Sequence, residues 1–173
     1  MNDKVFALTD GYQAKPDSRG AYAEYVTVRE ELCARVPEEV PLRTAGAVPL
    51  AALTAWQALA AGNPGAGTRM LVFGASGGVG HFAVQLAKAR SEQRANIPAQ
   101  HVSSDALPTA TTVQLRGVHV VGVCSAAHAQ EVRDLGAADT FDYAQGADAL
   151  RQRYGTAKFD FIFDTVGGAH GMD

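Results

Sequence analysis

Cysteine is nearly absent from this sequence: Cys33 and Cys124 are the only two in 173 residues. They stand alone and far apart, so neither a disulfide framework nor a zinc ribbon can be read from their spacing. An excess of positive charge is lacking too, with 15 Lys and Arg against 18 Asp and Glu for a formal net charge of -3. No Lys/Arg cluster forms a stripe that neutralises phosphates, which argues against nucleic acid as a partner. No uninterrupted apolar run approaches the ~18 to 20 residues that cross a bilayer, so no membrane span is expected. The opening Met1-Asn2-Asp3-Lys4 also lacks the apolar core of a signal peptide. A cytoplasmic setting fits these absences, with mitochondrion or plastid as the alternative, since a transit peptide would lie upstream.

What is present is an ordinary globular composition, 47% hydrophobic and 19% charged, enough to bury a core. Val5 to Leu8 and Ala21 to Val28 read as two short strands on either side of the turn-rich Asp10 to Gly20. Thr44 to Ala61 is Ala/Leu-rich and helical by propensity, with a bend expected at Pro49. Gly62-Asn63-Pro64-Gly65 then marks a boundary. From Arg69 onward strand and helix alternate: Met70 to Phe73, Val79 to Ala89, Val118 to Val123, Ala127 to Leu135, Thr140 to Asp142, Ala147 to Tyr154 and Phe159 to Asp164. That order is the signature of an α/β fold with a doubly wound parallel sheet. Between its first helix and second strand lies Ser91 to Arg116, polar and broken by Pro98 and Pro108. It is far longer than the ~2 to 6 residues usual for such connections, and is expected to be a disordered or loosely folded insertion at 91–116.

The chemistry concentrates at Gly74-Ala75-Ser76-Gly77-Gly78-Val79-Gly80. The run follows an apolar strand and opens a helix whose apolar residues Val79, Phe82, Ala83, Leu86 and Ala87 recur at helical spacing. Two glycine frames fit, G-x-x-G-x-x-G from Gly74, or G-x-G-x-x-G from Ala75 with Ala in first place; both put glycine at 77 and 80. A dinucleotide pyrophosphate needs glycine here, because side chains would bar it from the backbone N–H groups and from the positive end of the helix dipole. The Gly-Lys-Ser/Thr ending of a P-loop is missing.

Which dinucleotide binds is decided at the end of the second strand, where NAD sites place an acidic residue on the ribose 2′-hydroxyl. This strand ends Val123-Cys124-Ser125, with no carboxylate. Ser125, His128, Arg133 and Tyr143 are nearby donors for a 2′-phosphate, so NADPH is favoured over NADH. Each also has a purely structural use: Ser125 as a helix N-cap, Arg133 and His128 on a solvated face, Tyr143 packed over the sheet edge.

These residues resemble the medium-chain dehydrogenase/reductase superfamily, in particular its zinc-free quinone oxidoreductase branch. The resemblance is carried by Gly20 to Val26, Val48-Pro49-Leu50, Leu53 to Trp56, Gly74 to Gly80, Val123 to Ser125, Leu135 to Asp139, Phe141 to Tyr143 and Phe159 to Gly168, in family order. It implies a partial Rossmann domain preceded by the end of a GroES-like β domain, the latter at 1–43 and the NADPH-binding domain at 44–173. It implies that Ser76, Gly77, Gly78 and Val79 hold the diphosphate, Ser125, His128 and Tyr143 the 2′-phosphate end, and that Thr54 lies near the nicotinamide. His128 takes the place where some relatives put a lysine, which makes contact there depend on its protonation. The implied reaction is hydride transfer from NADPH to a quinone or an α,β-unsaturated carbonyl, without catalytic zinc, and a homodimer is compatible with it.

The resemblance also implies a partial chain, beginning inside the substrate domain and ending after the fourth strand of the sheet, whose Phe159 to Asp164 would then form an apolar edge. No catalytic residue is assigned; Glu24, Asp164 and His170 qualify by type only. A catalytically silent nucleotide-binding fragment or splice form is the competing expectation.

Overall fold

After Arg69 the apolar runs are long enough, and far enough apart, to form the alternating strands and helices expected of them, and the computed structural model shows that they do. It describes residues 3–9, 20–92, 117–155 and 158–167. These fall into two units, one up to Leu50 and one from Ala51.

In the first unit β1 (Val5–Ala7) pairs antiparallel with β2 (Cys33–Arg35), Phe6 opposite Ala34. The second strand is therefore not the expected Ala21 to Val28. That run alternates apolar and polar residues, but no described strand offers it a ladder, and Tyr22 and Tyr25 stand exposed. Alternation makes a strand only where backbone N–H and C=O groups find a partner. The turn expected at 10–19 lies outside the described residues.

A short helix, α1 (Leu42–Ala45), precedes α2 (Val48–Gly62). The break expected at Pro49 falls instead at Gly46 and Ala47, where the Ala47 N–H donates to the Thr44 carbonyl at 3.1 Å. Pro49 sits in the first turn of α2, where its missing N–H would have had no intrahelical acceptor, so it starts the helix rather than bending it.

The second unit is built on β3 (Arg69–Phe73), α3 (Gly78–Glu92), β4 (His119–Cys124), α4 (Ala129–Asp134), β5 (Asp139–Asp142), α5 (Gly146–Tyr154) and β6 (Phe161–Asp164). The four strands are parallel in the order β5-β4-β3-β6. Met70, Val72, Val120 and Cys124 face one side and bury Ala55 and Leu59 of α2, Ala83, Val84 and Ala87 of α3, and Val132 of α4. Leu71, Phe73, Val121, Val123 and Phe141 face the other, against Leu150 and Tyr154 of α5. Helices on both faces explain why β3 and β4 read as nearly continuous apolar runs.

The sheet reverses its winding between β3 and β6, since β4 and β5 extend from β3 on one side and β6 lies on the other. Such a reversal opens a crevice at the carboxyl ends of the two strands. β6 forms the outer edge among the described residues, as expected, with Ile162 exposed on it. Of the expected insertion, Ser91 and Glu92 belong to α3, and 93–116 lie outside the described residues.

Candidate functional site

The parallel register brings the expected residues to one edge of the sheet. Phe73 pairs with Val123 and with Asp164, and Cys124 pairs with Asp142. Consequently the turn after β3, Ser125 after β4, Tyr143 after β5 and Thr165 after β6 leave the sheet in the same direction.

The turn is defined by contacts that leave no room for side chains. Gly74 has φ +69°, a conformation costly for any residue with a Cβ. A methyl there would also sit 2.6 Å from Thr165 Oγ1 and 2.8 Å from Val166 Cγ2. At Gly80 it would strike the Gly74 carbonyl oxygen and lie 2.8 Å from Ala75 Cα. These are backbone atoms and cannot swing aside. The Ala75 N–H donates to the Val123 carbonyl at 2.9 Å, tying the turn to β4.

Gly77 closes the turn with an N–H bond to the Gly74 carbonyl, and the first amide of α3 to find a backbone acceptor is that of His81, on the Gly77 carbonyl. The N–H groups of Gly78, Val79 and Gly80, in the first turn of α3, find no such acceptor among the described residues. Gly77 and Gly78 are exposed, Ser76 and Val79 half-buried, and Gly80 is buried. Exposed glycines beside orphan donors at the positive end of a 15-residue helix form a cradle that a diphosphate fits.

Ser125 precedes a single 3-10 turn, Ala126–His128, and its hydroxyl makes no capping bond. His128 is exposed, and its Nδ1 lies 3.0 Å from Glu131 Oε2. Arg133 leaves this group, donating its guanidinium to the Thr140 hydroxyl. Tyr143, 63% exposed, begins the 3-10 turn after β5 and does not pack over the sheet edge. Thr54 is exposed on α2, one turn from Ala51, whose Cβ lies 3.8 Å from where a Gly78 methyl would be. The structure thus gathers Ser76 to Val79 with Ser125, His128 and Tyr143 along the carboxyl edge, and sets α2 against Gly78.

One part of this edge is not apparent from sequence patterns. The Thr165 hydroxyl donates to the Phe73 carbonyl at 2.7 Å, and the Thr165 N–H to the same oxygen at 3.3 Å. Asp164 Oδ1 accepts from Val166 N–H at 2.9 Å and Gly167 N–H at 3.1 Å, folding the loop after β6 against the glycine turn. The Thr165 contact joins residues 92 positions apart, so no local spacing announces it. Asp164 is therefore engaged with its own loop, Glu24 is exposed, and His170 lies outside the described residues.

At the amino end of β5, Asp139 accepts from Tyr154 Oη at 2.6 Å, from the Thr140 N–H at 2.8 Å and from Arg153 at 2.9 Å. Burial works against its charge, but these bonds and the Arg153 cation outweigh it and hold the carboxyl below its ordinary range. Burial, with the Asp139 hydrogen bond behind it, pushes the Tyr154 phenol up to about 12. Burial first and Asp142 second push the Cys124 thiol up, which makes it an unreactive core group. None of the eight expected residues lines the open hollow of about 720 Å³ bounded by Asp3, Val5, Glu30, Glu31, Cys33, Ala34 and Arg35. No group of three metal-ligating side chains gathers among the described residues.

No family model matches the chain. It is 33% identical over 160 residues to the NAD(P)H oxidoreductase RTN4IP1, mitochondrial, of Danio rerio, covering 88% of this chain and 34% of that protein. The chain is a homologue of this NAD(P)H oxidoreductase. It is 31% identical over 169 residues to the NADPH-dependent alkenal/one oxidoreductase, chloroplastic, of Arabidopsis thaliana, covering 95% of this chain and 36% of that one. Its fold superposes on the quinone oxidoreductase of Coxiella burnetii with a TM-score of 0.72 at 27% identity, over 99% of this chain and 44% of that one. The medium-chain, quinone-reductase resemblance and the Rossmann-like α/β fold expected from the motifs are what these relatives have. The chain spans about a third of the length of the curated relatives it matches.

Proposed function

We propose that this chain supplies the adenosine and diphosphate half of an NADPH site in an oxidoreductase that transfers hydride to a quinone or an α,β-unsaturated carbonyl. The observation that carries this is the glycine-lined carboxyl end of β3, with three orphan N–H groups at the start of α3. The relatives' names support the chemistry and its acceptors. A nicotinamide, when bound, supplies the hydride. The chain's own residues bind and orient: Ser76 and the N–H groups of Gly78 to Gly80 receive the diphosphate, with Gly77 leaving room for it. Ser125, His128 and Tyr143 receive the 2′-phosphate, and Thr54 on α2 lies toward the nicotinamide. In this reading 1–43 is the end of a GroES-like substrate domain and 44–173 the nucleotide domain.

NADPH is preferred because β4 ends on Cys124, followed by Ser125, without a carboxylate at its tip. Among the described residues no helix is long and apolar enough to cross a membrane. The words mitochondrial and chloroplastic in the relatives' names support the organellar setting over the cytoplasmic one. A homodimer belongs to the same reading and is checked by light scattering.

The test is titration of the chain with NADPH and NADH by fluorescence, followed by NADPH consumption with 9,10-phenanthrenequinone as acceptor. Tighter binding of NADPH and turnover are expected. Binding without turnover would favour the silent nucleotide-binding fragment, and tighter binding of NADH would refute the role given to Ser125.

A further inference from the structure

Beyond the end of β4, the basic side chain left at the edge is already engaged with a carboxylate. Of the two basic residues beyond Ser125, Arg133 is turned to the Thr140 hydroxyl. His128 stays at the edge, linked to Ser125 by its own N–H on the Ser125 carbonyl at 3.1 Å, and its ring holds Glu131 at 3.0 Å. A carboxylate only accepts, so Nδ1 carries the proton and donates it to Glu131. Nε2 is what remains for a ligand. Both side chains are about half exposed, 54% and 53%, so the pair opens readily to a competing charge.

We propose that Glu131 is a specificity-determining residue, which through its hold on His128 lets the site accept the ribose 2′-hydroxyl of NADH as well as the 2′-phosphate of NADPH. This rests on the reading above that the adenosine end of the cofactor lies over Ser125 and Tyr143. Acidic residues at this end of a dinucleotide site accept from the 2′-hydroxyl. The tip of β4 lacks one, but the turn at Ala126–His128 and the i,i+3 pairing of His128 with Glu131 bring a carboxylate to the ring of His128, six residues after Ser125. A phosphate is drawn by His128 and repelled by Glu131, whereas a hydroxyl suits both. With Nδ1–H committed, a neutral ring offers Nε2 as an acceptor, matched to a hydroxyl, and a protonated ring offers Nε2–H, matched to a phosphate. The two neighbours pull cofactor choice in opposite directions and leave the preference shallow.

Fluorescence titration of the whole chain with NADPH and with NADH, in the parent, Glu131→Gln and His128→Ala, tests this. Glutamine keeps an acceptor for Nδ1–H but loses the charge. NADPH should bind roughly two- to fivefold more tightly to Glu131→Gln, with NADH unchanged or weaker. His128→Ala should weaken NADPH more than NADH. Glu131→Ala, read alongside, should shift the ratio in the same direction as the glutamine variant. An unchanged ratio in both Glu131 variants, with both cofactors bound, overturns the role of Glu131 and leaves the cofactor site standing. A parent chain that binds neither dinucleotide overturns both.

Discussion

The two ends of the candidate site are made of different material. After β3 the surface is mostly backbone: a glycine turn with N–H groups at the start of α3 that find no backbone acceptor among the described residues. After β4 and β5 it is side chain: a serine hydroxyl, a histidine paired with a glutamate and an exposed tyrosine. In the proposed reading the first end meets what all dinucleotides share, and at Gly74 and Gly80 it has no room for a side chain. The second carries what distinguishes one dinucleotide from another, on groups that cost the fold little when exchanged. In that reading binding and selectivity are separated in space and in their tolerance of mutation.

Gly80→Val is the harshest way to test that separation. Its side chain would meet the Gly74 carbonyl and Ala75 Cα, and we expect a loss of roughly 3 kcal/mol in urea unfolding together with loss of binding of both cofactors. A folded, binding variant would break the comparison.

Asp139→Asn is a control placed at the opposite end of β5 from Tyr143. Its carboxyl is held low in the folded state, so its stabilisation is present above the unfolded value of about 3.9 and is lost as pH falls through the lowered folded value. The substitution should lower stability at pH 7 and flatten the acid limb of a stability profile measured by urea unfolding, while leaving the ratio of NADPH to NADH affinity unchanged. A shifted ratio would show that the amino end of the sheet also takes part in selection.

Thr165→Val removes the hydroxyl from the Phe73 carbonyl while keeping the shape, at an expected cost of about 1 kcal/mol. Both cofactors should weaken together, because the glycine turn loses its neighbour. Ser125→Ala should have the smallest effect on stability, within about 0.5 kcal/mol by thermal unfolding. It should weaken NADPH a few-fold and leave NADH nearly unchanged, which would sharpen the contrast between the two ends.

The sequence made the second unit legible because Met70 to Phe73, ending at Gly74, and Val120 to Cys124 are largely apolar runs, and because α3 repeats its apolar residues at helical spacing. The glycine turn was legible for the same reason, since strand and helix flank it. What was not legible depends on partners distant in the chain. Cys33–Arg35 has only three residues and no β-branched side chain, and becomes a strand because Val5–Ala7 lies opposite. Ala21 to Val28 has the better pattern and no described partner. Pro49 was taken for an interruption because a proline's effect depends on its distance from the helix start, and the break three residues earlier at Gly46 carries a weaker signal. Thr165 carries no local signal because it meets Phe73 across 92 positions.

The Thr165 hydroxyl has one proton, and the Phe73 carbonyl holds it. Toward the crevice this side chain therefore offers only lone pairs. A group that settles beside it must bring its own proton, as a carboxamide N–H₂, a hydroxyl or a water can and an ionised phosphate oxygen cannot. The edge is thus polar in a directional sense, with donors at the start of α3 and an acceptor after β6, an arrangement suited to a ligand whose two halves differ in the same way.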